Sequence, residues 1–101
     1  MEAHIEPGDV TVIRVAGEVD MDTHVEMEDA ILGALRSGAG PLVVDLAEVS
    51  FLDSSGIRAL LHGREAAIGR GTTLTVRSPQ PIVANVLRLT NVAGLLGLSS
   101  S

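Results

Sequence analysis

With a single aromatic side chain in 101 residues, this chain has to build its interior from small and medium aliphatic groups. Phe51 is that ring; Trp, Tyr and Cys are absent. The length supports one small domain around one core. At 46% hydrophobic and 20% charged residues the composition is that of a globular protein, so Val, Leu, Ile and Ala must interlock. Such a core calls for regular elements with matching aliphatic stripes. The same composition excludes several chemistries. Without Cys there is no disulfide, thiol nucleophile or thiolate metal site, which fits a reducing compartment. Binding of single-stranded nucleic acid needs aromatic platforms in a basic groove, and this chain has one ring and a net charge of −6.

All seven basic residues are arginine, so a lysine-dependent phosphate loop is ruled out. Charge is uneven along the chain. Residues 1–53 hold 12 acids and two arginines, for −10; residues 54–101 hold Glu65 and five arginines, for +4. Those five, Arg58, Arg64, Arg70, Arg77 and Arg88, stand at least six positions apart, as on solvated helix faces and strand ends. Met1–Glu6 is short and acidic, with neither a basic region nor an apolar run. No aliphatic stretch is long enough for a bilayer, so the expectation is a cytoplasmic protein with no membrane or nucleic-acid partner.

Periodicity divides the chain into alternating elements. Val10–Ala16 is rich in β-branched residues and reads as a strand closing at Gly17, with a shorter strand at Ala3–Glu6 before the Pro7-Gly8-Asp9 turn. Met27, Ala30, Ile31, Ala34 and Leu35 recur at helical spacing after the candidate caps Asp22 and Thr23, and that helix stops at Ser37-Gly38. Leu42–Leu46 reads as a buried strand. Ser54-Ser55-Gly56 opens a second helix with Ile57, Leu60, Leu61 and Ile68 on one stripe, ended by Gly69-Arg70-Gly71. Thr72–Val76 gives a further strand. Pro79 and Pro81 introduce a third helix carrying Ile82, Val83, Val86 and Leu87, followed by Leu95–Leu98 and a Ser tail. The order β-β-α-β-α-β-α predicts one α/β domain over residues 1–101, with helices packed on a mixed, mostly parallel sheet.

Few constellations could carry chemistry. His4, His24 and His62 are scattered and none has a second His or Cys at i+3 or i+4, so no metal is expected. Gly38-Ala39-Gly40 precedes a strand instead of following one, and no cofactor is expected. Phe51-Leu52-Asp53-Ser54-Ser55-Gly56-Ile57 stands out, because it joins a buried strand to an amphipathic helix. Capping explains part of it: Asp and Ser suit an N-cap, and Gly56 permits close approach of helix and sheet. A nucleophile elbow would need Gly at 52, where Leu stands. Ser54 and His62 lie eight residues apart on one helix, ~12 Å along its axis, too far for a catalytic pair. The chain is therefore read as no enzyme. A serine in such an exposed turn suits a phosphate acceptor instead, gaining about −1.5 to −2 charge.

Leu42–Leu61, reading LVVDLAEVSFLDSSGIRALL, resembles the signature of the anti-sigma factor antagonist family, whose fold is the STAS domain. Gly17-Glu18-Val19-Asp20 resembles the family's turn after the early strand, and Leu87-Arg88-Leu89-Thr90 its late helix end. Where the family usually has Gly after that Thr, this chain has Asn91, which tolerates a left-handed backbone. The resemblance implies a protein that binds an anti-sigma factor with serine kinase activity, and so frees a sigma factor. It implies inactivation by phosphorylation at Ser54, reversed by a phosphatase. Asp20, Asp53, Ser54, Ser55, Gly56, Ile57 and Arg58 would form the partner-binding face. With Glu18, Asp20, Asp22 and Asp53 around the acceptor, the partner face should be basic and its association salt-sensitive. The alternative is an unphosphorylated STAS interaction module, such as a stress-complex scaffold or a transport accessory subunit.

Overall fold

Each β-branched or aliphatic run forms a strand: β1 spans Glu2–Glu6, β2 Thr11–Val19, β3 Leu42–Leu52 and β4 Leu74–Arg77. The amphipathic stretches form α1, His24–Arg36, α2, Ser54–Gly69, and α3, Pro81–Leu89. The computed structural model describes residues 1–98, and the Ser tail lies outside them. The strands form one sheet in the order β1-β2-β3-β4. β1 pairs antiparallel with β2, as a short Pro-Gly turn allows, while β2–β3 and β3–β4 are parallel. Parallel neighbours need crossovers of one hand, which places α1 and α2 side by side on the same face. The expected order and mixed sheet are both present.

The interior is aliphatic. Ile13, Val15 and Val19 of β2 meet Leu42, Val44, Leu46, Val49 and Leu52 of β3 beneath Met27, Ile31 and Leu35 of α1 and Leu60 of α2. Gly63 lets α1 and α2 close up, since a Cβ there would stand 2.9 Å from Ile31 Cγ2. Leu96, fully buried, anchors the segment after α3, and its carbonyl accepts from the Val76 N–H at 2.9 Å on the outer edge of β4. That contact blunts an otherwise open strand edge.

Several boundaries differ from those read off the sequence. β2 does not close at Gly17; it passes through it at φ +99° and continues to Val19, paired with β3 throughout. β3 runs to Leu52 instead of Leu46, and β4 begins at Leu74. The cause in β3 is two bulges. Arg14 and Ala16 of β2 face Asp45 and Glu48 of β3, and Gly17 and Glu18 face Val49 and Phe51, so β3 carries one extra residue each time. The bulges restore the inward phase at Val49 and Leu52 and turn Phe51 outward, 45% exposed. Ile68 and Ile82, expected in the core, are 52% and 60% exposed; Gly63, Ala67 and Ala84 take the inward positions. Asn91 does adopt the left-handed backbone, at φ +61°. Among the described residues no helix is long and apolar enough to cross a membrane.

Opposite α1 and α2, the sheet carries a row of charges across all four strands. Arg14 donates to Glu6 at 2.6 Å and to Asp45 at 3.3 Å, and Arg77 donates to the same Asp45 oxygen at 3.0 Å. The other Asp45 oxygen accepts from the Ala47 N–H at 2.9 Å, a donor released by the first bulge. Burial alone would raise the Asp45 pKa, but the Ala47 N–H, Arg77 and Arg14 outweigh it and hold the carboxyl below its ordinary value. A folded pKa below the unfolded one contributes stability above the unfolded carboxylate range, ~pH 4, and loses it as pH falls through the folded value. Asp45→Asn should therefore lower the urea midpoint at pH 7, and the gap to wild type should narrow as pH drops below ~4. A gap that stays constant across that range would contradict the assignment.

Candidate functional site

β3 ends and α2 begins with a single residue between them, Asp53. Its extended backbone suits an N-cap, and its carboxylate accepts from Ser55 N–H at 2.8 Å and Gly56 N–H at 3.2 Å. Its own N–H donates to the Val19 carbonyl at 3.2 Å, and its carbonyl accepts from Ile57 N–H at 3.0 Å. One residue thus ties the ends of β2 and β3 to the first turn of α2. Gly56 sits over this knot: a Cβ would stand 2.6 Å from Leu52 Cδ1 and 2.9 Å from Val19 Cγ1, both buried side chains. Ser54, the first residue of α2, is exposed on the outer side of the turn.

The Asp20 loop is built against the same rim. Asp20 Oδ1 accepts from Asp22 N–H at 2.9 Å and Thr23 N–H at 3.1 Å, and the Thr23 hydroxyl donates to Glu18 O at 2.7 Å. The Asp22 N–H, then the Thr23 hydroxyl, hold the Asp20 carboxyl below its ordinary pKa. Thr23 occupies the N-cap position of α1 without bonding the first turn through its side chain; Asp20, three residues earlier, organises the turn that leads into the helix. Asp20 is therefore an occupied, ionised acid beside the α2 N-terminus.

The predicted face divides by orientation. Ser54 and Arg58 are exposed, Asp20, Asp53 and Ser55 are half-buried, and Gly56 and Ile57 point inward. Gly56 and Ile57 thus shape the face from beneath. Met21, 74% exposed, follows Asp20 directly, and Phe51 precedes Asp53 by two residues. The chain's one ring therefore lies near the end of β3 that leads into Asp53, outside the core.

A further feature escaped the sequence. His24 and Glu28 of α1 and Ser55, Arg58, Ala59 and His62 of α2 line a small cavity of about 80 Å³. His62 Nδ1 lies 3.2 Å from Glu28 Oε1, and His24 Nδ1 is buried without a hydrogen-bond partner among the described residues. The 28-to-62 pairing crosses two helices and has no local signal; only the i, i+4 spacing of His24 and Glu28 could have hinted at it. A larger cavity, about 400 Å³, lies at the far end of α1 around Thr11, Gly33, Ser37 and Ala39, away from Ser54. Among the described residues no group of three His, Cys, Asp or Glu is arranged for a metal.

Asp53→Ala removes the acceptor for two helix N–H groups and should cost about 1 kcal/mol in urea unfolding, while Asp53→Asn should lose only a fraction of that. Equal losses from the two would show that charge, and not capping, is what the position supplies.

Residues 4–97 match the family model described as Mlab, STAS domain. An anti-sigma factor antagonist from Mycobacterium paratuberculosis is 31% identical, with a TM-score of 0.86 over 99% of this chain and 86% of that one. The anti-sigma factor antagonist SpoIIAA in its unphosphorylated form is 19% identical, with a TM-score of 0.81 over 99% of this chain and 90% of that one. The Bacillus cell fate determinant SpoIIAA in its phosphorylated form is 22% identical, with a TM-score of 0.72 over 94% and 87%. The two SpoIIAA structures share the fold, and the mycobacterial relative shares sequence as well. With the Asp53 knot, the left-handed Asn91 and a family match over nearly its whole length, the chain belongs to the STAS domain family of anti-sigma factor antagonists.

Proposed function

We propose that the domain is a phosphorylation-controlled anti-sigma factor antagonist. Unphosphorylated, it binds an anti-sigma factor that is also a serine kinase, and the bound kinase lets go of its sigma factor. Phosphorylation of Ser54 ends the interaction, and a phosphatase restores it. The observation that carries this reading is the exposed Ser54 hydroxyl, set at the start of a rigidly capped helix beside the occupied Asp20 loop. The 31% identical antagonist supports it from the side of sequence. The domain itself is bound, modified and released, and catalyses nothing.

Physical chemistry explains how one phosphate could act as the switch. The acids Glu18, Asp20, Asp22 and Asp53 call for a partner surface bearing Arg or Lys, with a carboxylate in that kinase's site kept away from the acceptor. A dianion on Ser54 faces outward, so the fold need not change for binding to fail. Without Trp or Tyr, the interface lacks the large anchors that usually hold a complex through a local repulsion. The Met21 and Phe51 side chains supply the exposed apolar area available near the site.

Ser54→Ala should bind the kinase within about twofold of wild type and accept no phosphate, whereas Ser54→Asp should bind roughly tenfold or more weakly. Calorimetry with the purified kinase and intact mass after incubation with ATP read both. Equal binding by the two variants would sink the proposal. Firm binding of a partner with unchanged mass would favour the unphosphorylated interaction module.

A further inference from the structure

Around Ser54 the carboxylates of Glu18 and Asp22 are exposed and, among the described residues, unpaired, whereas the other charged groups are nearly all committed. Asp20 serves the Asp22 and Thr23 N–H groups, Asp53 serves Ser55 and Gly56, and Glu28 is taken by His62. The arginines along α2 and its C-cap are spent elsewhere: Arg64 donates to Leu95 O at 3.1 Å and Arg70 to Leu35 O at 3.1 Å. Arg58 is the exception. It is exposed and, among the described residues, makes no side-chain hydrogen bond or ion pair. It stands four residues after Ser54 on a regular helix, so the two exposed side chains rise from the same face about 5–6 Å apart at Cβ. An anion N-terminal to a cation at this spacing is the favourable orientation.

We propose that Arg58 is the internal receptor of the phosphoryl group on Ser54, an inference that rests on the reading of Ser54 as the modified residue. The group arrives from a nucleoside triphosphate held by the kinase. A bond forms between Ser54 Oγ and phosphorus as the bridging bond to the diphosphate breaks, and the hydroxyl proton passes to a base on the kinase. The new dianion then takes the free guanidinium, which can meet two phosphate oxygens with its planar fork. Modification thus does two things at once. It adds negative charge to an acidic rim, and it withdraws the one uncommitted cation that a partner's carboxylate could have used. Arg58 also lines the cavity of His24, Glu28, Ser55 and His62, so the phosphate draws it away from those neighbours.

The test installs phosphoserine at position 54 by chemical ligation of the full chain and follows its second ionisation by phosphorus NMR. In wild type this pKa should lie below the value in Arg58→Gln by ~0.5 unit, the size expected of one exposed ion pair, with Arg58→Lys in between. Arg88→Gln, an exposed arginine on α3, serves as the control and should leave it unchanged. Identical values in wild type and Arg58→Gln would overturn the proposal. Because the phosphate is made synthetically, the shift is readable even if no kinase modifies Ser54. Failure of the antagonist reading and failure of this one therefore give different results. Unmodified Arg58→Gln should melt with wild type, which separates loss of the pair from loss of the fold.

Discussion

Asp53 is where sheet, helix and candidate site are joined. Its amide reaches Val19, its carbonyl receives Ile57, and its carboxylate covers Ser55 and Gly56. A strand that becomes a helix within one residue leaves several N–H groups without partners, and a short acidic side chain is the economical way to satisfy them. Once that is done, the position and exposure of Ser54 follow from helix geometry. Gly56 then lets Leu52 and Val19 fill the space beneath, so the turn rests on the core. Ser54 is held by the same bonds that close the fold.

A second theme is how the chain separates charges with structural work from charges left available. Asp45 is buried, yet it bridges Arg14 and Arg77 and covers a bulge N–H, so its charge is fully engaged. Asp20 and Asp53 hold turns. Among the described residues, what remains uncommitted at the Ser54 rim is the hydroxyl, the outward carboxylates of Glu18 and Asp22, and a single cation, the Arg58 guanidinium. A rim whose turn-holding acids are spent and whose one free cation lies a turn from a modifiable hydroxyl can change its outward charge without moving its backbone.

The aliphatic core adds to this. Ile, Val, Leu, Ala and one Met supply the buried hydrophobic side chains among the described residues, and the second bulge of β3 turns Phe51 outward. Bulges near functional rims commonly re-aim a side chain in this way. The ring is then exposed on the strand that leads into Asp53, where the proposed interface, otherwise short of large anchors, would have use for it.

Much of this was legible from residue order alone. Alternation of β-branched runs with 3.6-residue stripes is a local property, so every helix and strand, their order and the mixed sheet follow from it; the N-cap preference of Asp and Ser pointed to the cap, and the family resemblance, with its usual Gly where Asn91 stands, pointed to a left-handed backbone there. Where β2 and β3 ended was not legible, because a bulge shifts the period and hides the continuing strand from any alternation rule. The outward positions of Phe51, Ile68 and Ile82 were hidden for a related reason: hydrophobicity says that a side chain can be buried, and only the packed neighbours decide whether room exists. The Asp45 bridges, the Glu28–His62 pair and the solitude of Arg58 join residues far apart in the chain, or depend on what other groups have already taken. Sequence determined which residues could do this chemistry. Tertiary structure decided which of them were left free, because a hydrogen-bonding group is available only when folding has not satisfied it.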